Sequence, residues 1–351
     1  MELMTTFEDR AAGAIVGAFI GDALGLGAHW YYDIEEMRKD YGPWISGYTE
    51  PKAGRYHEGL CAGQLSESGL VMRMLLESVV AAGGYDQEDF CRRLDAELLP
   101  KMQENPRKGP RGCSNHSMRQ VWHARVKHGK PWAEAAGNAD TSEWAERAGI
   151  VAAIYANEPE KLAIESARCV RVSQNDSMVV QHSVGFAMVL GALVRGVPFD
   201  GQISDRLMEE LESGEVRFTA ETSISTKKGE HPDLSFASPD ALLLPGWVAE
   251  AAKDPGIRIE PAWKVSLVYG MSCAVSFVVP AAYYLAVRFA GDFESTVLHA
   301  INGGGQNMSR ACLAGALAGA QCGLTGIPQR FIDGLEDGAE VCRLARKAAG
   351  A

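Results

Sequence analysis

Asn302-Gly-Gly-Gly-Gln-Asn-Met-Ser-Arg310 and the following Ala311-Cys-Leu-Ala-Gly-Ala-Leu-Ala-Gly-Ala320 form the most informative segment of the sequence, a glycine run that leads into a predicted helix of small residues. The glycines let a ligand or another backbone approach the main chain closely. The first N–H groups of the following helix favour an anion. No Asp or Glu occurs in this stretch, so by itself it lacks the carboxylates that usually anchor a hard divalent cation.

A second segment, near the amino terminus, has the same small-residue character. It spans residues 11–26 and carries a glycine at every fourth position: Gly13, Gly17, Gly21 and Gly25. Residues 311–323 repeat this spacing with Gly315, Gly319 and Gly323. A glycine inside a helix costs about 1 kcal/mol relative to alanine, which is tolerated where another backbone must pack very close. We therefore expect two core helices, packed against each other, that bring residues 22–32 near residues 302–310.

The composition is that of an ordinary globular protein. The 351 residues are 46% hydrophobic and 23% charged, and no Pro/Ser-rich linker or charge block divides them, so we expect a single domain over residues 1–351. The net charge is −11 and no basic stripe is present, which argues against a nucleic-acid partner. The most apolar stretch, residues 265–290, contains Pro280 and Arg288 and predicts a buried helix rather than a membrane span.

The cysteines and the first residues predict a cytoplasmic protein. None of the eight cysteines forms a Cys-x-x-Cys pair or has a histidine at zinc-like spacing, which favours reduced thiols. Residues 1–10 are charged and do not resemble a signal peptide.

Helical periodicity dominates the rest of the chain and predicts an all-α multi-helix bundle. Further helices are predicted at residues 69–82, 87–99, 115–128, 142–156, 158–172, 178–195, 204–213, 240–253, 269–290, 292–301 and 328–348. Strand-like patterns are few and short, and residues 256–259 are an example. The loops 40–66, 101–116 and 214–238 are rich in Gly, Pro and Ser, and a functional site is expected there.

Several of these segments resemble one family. Residues 11–25, Ala-Ala-Gly-Ala-Ile-Val-Gly-Ala-Phe-Ile-Gly-Asp-Ala-Leu-Gly, resemble the opening helix of the ADP-ribosylglycohydrolase superfamily, and residues 303–320 resemble its closing signature. The similarity continues through residues 63–78, 112–118 and 175–196. Ala28-His-Trp-Tyr-Tyr-Asp33 and Met271-Ser-Cys273 resemble a narrower branch, which contains the jellyfish J-type crystallins and bacterial relatives. The resemblance implies the all-α orthogonal bundle of that superfamily.

The same resemblance implies chemistry at two Mg²⁺ or Mn²⁺ ions, held by the motifs Thr-Asp-Asp-Thr and Gly-Gly-Asp-Thr-Asp-Thr. The matching stretches here are Ser66-Glu-Ser-Gly69 and Gly304-Gly-Gln-Asn-Met-Ser309, and His29 stands where some members have an acidic residue. Mg²⁺ takes about six oxygen ligands and is normally anchored by carboxylates. We therefore expect no metal ligands and no cofactor, with a single weak Mg²⁺ site as the alternative.

Glu67 and His29 are the predicted catalytic residues, acting in place of a metal pair. Glu67 lies between two serines before an apolar helical run, where a carboxyl group could orient a water or stabilise an oxocarbenium-like centre. Its alternative role is to complement the dipole of the first helical turn. His29 follows a helix end and titrates near neutral pH. Its alternative is a packed aromatic cluster.

The predicted substrate-binding residues lie around these two. They are Trp30, Tyr31, Ser66, Ser68, Asn115, His116, Asn175, Asp176, Gln306, Asn307, Ser309 and Arg310. Aromatic rings could stack on a flat ring or a sugar face, and Arg310 could bind two phosphate oxygens. Capping of helix starts is the alternative for Ser66, Asn115 and Asp176, and an ion pair with a surface acid is the alternative for Arg310.

Three functions remain open from the sequence. The first is a divergent ADP-ribosylglycohydrolase-like enzyme that acts on a ribosyl-type or other small polar substrate, by metal-independent hydrolysis or a changed reaction such as elimination. The second is a non-catalytic ligand-binding or structural, crystallin-like relative. The third is a Mg²⁺-dependent ADP-ribosyl hydrolase with a weak metal site. The partner is expected to be a small molecule, not nucleic acid or membrane, and the oligomeric state is left open.

Overall fold

The computed structural model describes residues 5–105, 108–212 and 240–350. The predicted loop 214–238 lies outside these ranges. In the described part the chain is all-α, with sixteen α-helices, short 3₁₀ and π turns, two isolated β-bridges and no strand. The helices are α1 (Phe7–Gly25), α2 (Ile34–Tyr41), α3 (Glu67–Ala82), α4 (Gln87–Arg93), α5 (His116–Trp122), α6 (Ala148–Tyr155), α7 (Pro159–Val170), α8 (Ser177–Val194), α9 (Ile203–Glu212), α10 (Asp240–Lys253), α11 (Val265–Tyr269), α12 (Val275–Arg288), α13 (Phe293–Ile301), α14 (Asn307–Cys322), α15 (Gln329–Gly334) and α16 (Gly338–Ala349).

The two small-residue helices form the centre of the molecule, as the glycine spacing predicts. Helices α1 and α14 pack against each other, and each ridge glycine of α1 faces α14 backbone: Gly13 faces Gly319, Gly17 faces Gly315, Gly21 faces Ala311 and Gly25 faces Met308. The pairing is antiparallel, so the end of α1 meets the start of α14. A Cβ added at Gly17 would lie 2.7 Å from the carbonyl carbon of Gly315, which explains why only glycine fits there.

The surrounding helices enclose this central pair. Helix α1 also packs on α6, α8 and α16, and helix α14 packs on α12 and α13. The side chains of both central helices are almost entirely buried. One end of the pair therefore becomes a fixed platform, on which the loops after α1 and before α14 are held.

The structure corrects several predicted boundaries. Residues 256–259 contain the end of a turn and irregular backbone, and no strand. The predicted helix 269–290 begins only at Val275, and the predicted helix 328–348 is broken into α15 and α16 at Asp337, whose φ of 53° is left-handed. Helix α2 had no prediction because Met37 is its sole buried residue, which leaves no apolar periodicity to read.

Helix α8, Ser177–Val194, is long and apolar enough to cross a membrane by length and composition, and 78% of it is buried inside the protein. A core helix satisfies the same two criteria.

Candidate functional site

Three chain segments meet where α1 ends and α14 begins. The N–H of Trp30 donates to the carbonyl of Gly305 at 3.0 Å, and the N–H of Gly305 donates to the carbonyl of Tyr31 at 2.6 Å. The N–H of Gln306 donates to the carbonyl of Met271 at 2.8 Å. Gly305 has a φ of 58°, and a Cβ there would meet the Met271 side chain at 2.7 Å. The glycine run thus allows the backbones of the other two segments to approach it closely, as expected.

The side chains at this junction form a buried histidine pair. Nδ1 of His29 lies 2.7 Å from Nε2 of His57, and Nε2 of His29 lies 3.0 Å from Oε1 of Gln306. Nδ1 of His57 lies 2.9 Å from the carbonyl oxygen of Arg111. Burial lowers the pKa of both histidines, that of His57 to about 4. Both nitrogens of His29 are therefore engaged within the protein.

Gln306 connects the histidine pair to the start of α14. Its Oε1 also accepts the indole N–H of Trp30, and its Nε2 donates to Oγ of Ser309 at 2.6 Å. Because an indole nitrogen can only donate, this contact fixes which end of the amide faces His29. The polar groups of Trp30, Gln306 and Ser309 therefore form hydrogen bonds with one another.

Asp22 and Ser66 hold the start of α3 against α1. Both carboxylate oxygens of Asp22 accept bonds from Ser66, one from its N–H at 2.9 Å and one from its hydroxyl at 2.5 Å. The Ser66 hydroxyl also accepts the N–H of Gly69 at 3.2 Å, which confirms Ser66 as the N-cap of α3. Burial raises the pKa of Asp22 to about 7. This arrangement places the next residue, Glu67, at a defined position.

Glu67 is a completely buried carboxyl group. Its Oε1 accepts the N–H of Asn115 at 2.9 Å, whereas its Oε2 is buried and has no hydrogen-bond partner among the described residues. The pKa of this carboxyl group is raised from 4.5 to about 8, and burial is the largest cause. The Asn115 side chain donates to Oγ of Ser68 at 2.9 Å. At neutral pH the geometry therefore presents a neutral carboxylic acid with one unused oxygen.

Two further acids belong to this region and were not predicted from the sequence: Glu143, whose charge acts on Glu67, and Glu146, which lies near Ser68 and Ser309. Glu143 accepts the N–H groups of His116 and Ser117 at 2.8 and 3.0 Å and so caps the start of α5. Glu146 is buried, its Oε2 has no partner in the part of the chain that the structure describes, and burial raises its pKa, opposed by the nearby hydroxyls of Ser309 and Ser68. No motif marked Glu143 or Glu146, because both lie in the predicted helix 142–156, where a charged residue is ordinary.

The aromatic side chains divide into an inner and an outer group. Tyr31 is buried and donates to Asp40 at 2.6 Å, so its ring is packed within the protein. Tyr32 is 56% exposed, and Trp30 is stacked on His29 and meets Tyr56 edge to face at 4.3 Å. The rings near the site that are exposed or half-buried are therefore Trp30, Tyr32 and Tyr56, whereas Tyr31 is buried.

Arg310 and Asn307 are turned toward the main chain. The guanidinium of Arg310 is buried and donates to the carbonyls of Ala300, at 3.0 and 2.8 Å, and Gly304, at 2.6 Å. With the described acids it forms no ion pair, and these N–H groups are not left for phosphate. The Asn307 amide donates to the carbonyl of Ile301 at 3.3 Å, and its Oδ1 is buried with no partner in the described segments.

Three remaining predicted residues lie at helix starts. Asp176 accepts the N–H of Val179 at 3.1 Å and caps α8, and Asn175 beside it is exposed. His116 has an exposed side chain, and its ring faces Gln120. For these three the structure shows helix-start roles and no contact with Glu67 or Gln306.

Comparisons with known proteins agree with this architecture. The family model for ADP-ribosylglycohydrolase matches residues 3–351. The chain is 28% identical over 346 residues to an uncharacterized protein of Archaeoglobus fulgidus, covering 97% of this chain and 96% of the relative. It also resembles a solved structure described as an ADP-ribosylglycohydrolase-related protein complex, with 20% identity, 99% of both chains covered and a TM-score of 0.64.

Proposed function

This chain belongs to the ADP-ribosylglycohydrolase family, and we propose that it is a divergent member that hydrolyses a glycosidic bond in a small ribosyl-type substrate without a two-metal centre. We further place it in the branch that resembles the J-type crystallins, on the sequences 28–33 and 271–273. Those two segments meet at Gly305 and Gln306 and form the wall of the proposed site.

The observation that carries the proposal is the state of Glu67. Its carboxyl group is buried and has a pKa of about 8, and its Oε2 has no hydrogen-bond partner within residues 5–105, 108–212 and 240–350. Such a group is a proton donor at neutral pH, which is what cleavage of a glycosidic bond requires of a general acid. Glu67 also occupies the position that the resemblance assigns to the family's chemistry.

The second carboxyl group in the proposed reaction is Glu146. Glu67 transfers its proton from Oε2 to the leaving atom as the bond to the anomeric carbon breaks. Glu146, in its ionised form, accepts a proton from the water that adds to that carbon, in the manner of an acid–base carboxyl pair. Burial raises the pKa of Glu146, while the hydroxyls of Ser309 and Ser68 and the charge of Arg147 act in the opposite direction and favour its ionised form. In the proposed reactive state Glu67 carries the proton and Glu146 is ionised.

The residues present do not fit a pair of Mg²⁺ ions. Oε1 of Gln306 already accepts bonds from His29 and Trp30, and Met308 offers a thioether, a poor ligand for a hard cation. In residues 5–105, 108–212 and 240–350, no three His, Cys, Asp or Glu side chains are grouped so that they could hold a metal ion. The donor set therefore supports proton chemistry by carboxyl groups at this site.

We propose that the outward rings of Trp30, Tyr32 and Tyr56 bind a flat ring or sugar face of the substrate. His29 is then a positioning residue that acts by holding Gln306, because both of its ring nitrogens already contact protein groups. We also propose a cytoplasmic location. It is supported by the eight cysteines, which all lie in the described ranges and form no disulfide there.

The experiment is hydrolysis of N- and O-linked ADP-ribosyl adducts in the presence of a chelator, followed by chromatography of released ADP-ribose. Glu67→Gln is expected to lose at least a hundredfold in rate, because general acid catalysis contributes about that much. Glu77→Gln is the matched control, on the same helix but in an ion pair with Arg73 at 2.7 Å. Equal rates for Glu67→Gln and the native chain, or ADP-ribose binding without turnover, would contradict the proposal.

A further inference from the structure

The outer nitrogens of the His29–His57 pair are both hydrogen-bond donors. Nδ1 of His57 faces the carbonyl oxygen of Arg111, which can only accept, so Nδ1 carries a proton. Nε2 of His29 faces Oε1 of Gln306, whose identity is fixed by the indole donor of Trp30. Nε2 of His29 therefore carries a proton too.

The inner nitrogens then face each other without a proton between them. A neutral imidazole carries one proton, and in each ring it is already placed on the outer nitrogen. Nδ1 of His29 and Nε2 of His57 lie 2.7 Å apart, which is a hydrogen-bond distance and too short for two opposed lone pairs. We propose that His29 and His57 share one additional proton, so that the pair is a buried cation that fastens the loop 42–66 to the wall of the site.

The surroundings of the pair are compatible with a single positive charge. The ring of His29 stacks on Trp30 with ring centres 4.2 Å apart, which is a favourable position for a cation. The neighbouring charges are balanced in ion pairs, Arg55 with Glu36 at 3.2 Å on the side of α2, and Arg111 with Glu336 at 3.0 Å on the other side.

Burial is the main cause that lowers the pKa of both histidines, and the neighbouring His57 ring adds to this effect at His29. Burial thus opposes a charge on the pair, whereas the two outer donors require a proton between the inner nitrogens, which lie 2.7 Å apart. A second added proton would leave two donors facing each other at that distance. The structure therefore favours the singly charged pair over the doubly charged one.

The shared proton has a positioning consequence. His57 has a left-handed φ of 66°, and its backbone packs on Gly112, where an added Cβ would lie 2.7 Å from the Cα of His57. Its neighbour Tyr56 contacts Trp30. Without the shared proton, the two lone pairs would face each other and push the rings apart. The loop 42–66 would then no longer be held beside Trp30 and Tyr56.

Nitrogen-15 NMR of the imidazole rings in the native protein tests this directly and does not depend on the proposed reaction. At pH 7 we expect His57 Nδ1 and His29 Nε2 to show protonated shifts, and the two inner nitrogens to show matching intermediate shifts from one shared proton. Two inner nitrogens with fully unprotonated shifts at pH 7 would overturn the proposal.

His57→Gln provides a second test, because a glutamine amide can donate to Nδ1 of His29 without a charge. If the folded pair holds its proton above the unfolded histidine pKa of about 6.5, native stability relative to this variant is lost as pH rises through the folded pKa. The ratio of the unfolding equilibrium constants of the native chain and the variant, measured in urea, should then change tenfold for each unit by which the pKa of the folded pair exceeds that of an unfolded histidine. A ratio independent of pH between 6 and 9 would contradict the shared proton.

Discussion

The close contact between α1 and α14 predicts a large effect from a single methyl group. In Gly17→Ala the new Cβ would lie 2.7 Å from the carbonyl carbon of Gly315 and 3.1 Å from a ring carbon of Phe293. Carbon atoms in contact normally lie about 3.5 Å apart or more, so the two helices must separate by about 1 Å, and such a gap forfeits a quarter to a half of each dispersion contact. Overpacking costs about 1–3 kcal/mol or more, partly offset by about 1 kcal/mol of helix propensity.

We therefore expect Gly17→Ala to lower the free energy of unfolding by about 2 kcal/mol or more, measured by urea denaturation. Gly149→Ala is the matched control, because it adds the same methyl group in α6 but its nearest neighbour would be the Ala14 oxygen at 3.3 Å. That variant should be unchanged or more stable by up to about 1 kcal/mol. Equal unfolding free energies for the two variants would refute the backbone-contact argument.

Two further predictions concern buried charge. Since burial raises the pKa of Glu67 from 4.5 to about 8, the native state keeps a proton that the unfolded chain releases, and stability falls as pH rises through this window, by at most about 5 kcal/mol. Glu67→Gln should remove this slope and be more stable than the native chain at pH 9 in urea titrations, whereas an unchanged pH slope would show that Glu67 ionises freely. Arg310→Met should destabilise by about 3 kcal/mol, because it leaves the carbonyls of Ala300 and Gly304 without a donor. Arg343→Met, which removes an exposed ion pair with Glu340, should leave the free energy of unfolding nearly unchanged, and a similar effect from both arginines would contradict the structural role of Arg310.

The helical class and the central helix pair could be predicted because glycine spacing has a direct steric meaning. Four glycines on one face predict a backbone contact, and Gly17 meets Gly315 as that reasoning requires. The same glycine spacing predicts that the end of α1 lies beside the start of α14, and there His29 contacts Gln306. Helix α2 was not predicted because its charged residues bury little apolar surface.

The site was only partly predictable because its remaining members come from segments far apart in sequence. His57 reaches His29 across a loop without periodicity, and Glu146 lies in a short turn between helices. The direction of an aromatic ring after a helix end depends on backbone angles. Trp30 has a left-handed φ of 61°, and this reversal leaves Tyr31 buried and Tyr32 exposed.

We propose that carboxyl groups act at this site without two bound cations. Isothermal titration of Mg²⁺ into the protein, with and without ADP-ribose, measures whether the cations bind. We expect no tight Mg²⁺ binding in either condition and adduct hydrolysis that survives chelation. Two Mg²⁺ ions bound per chain, together with hydrolysis abolished by chelation, would contradict it.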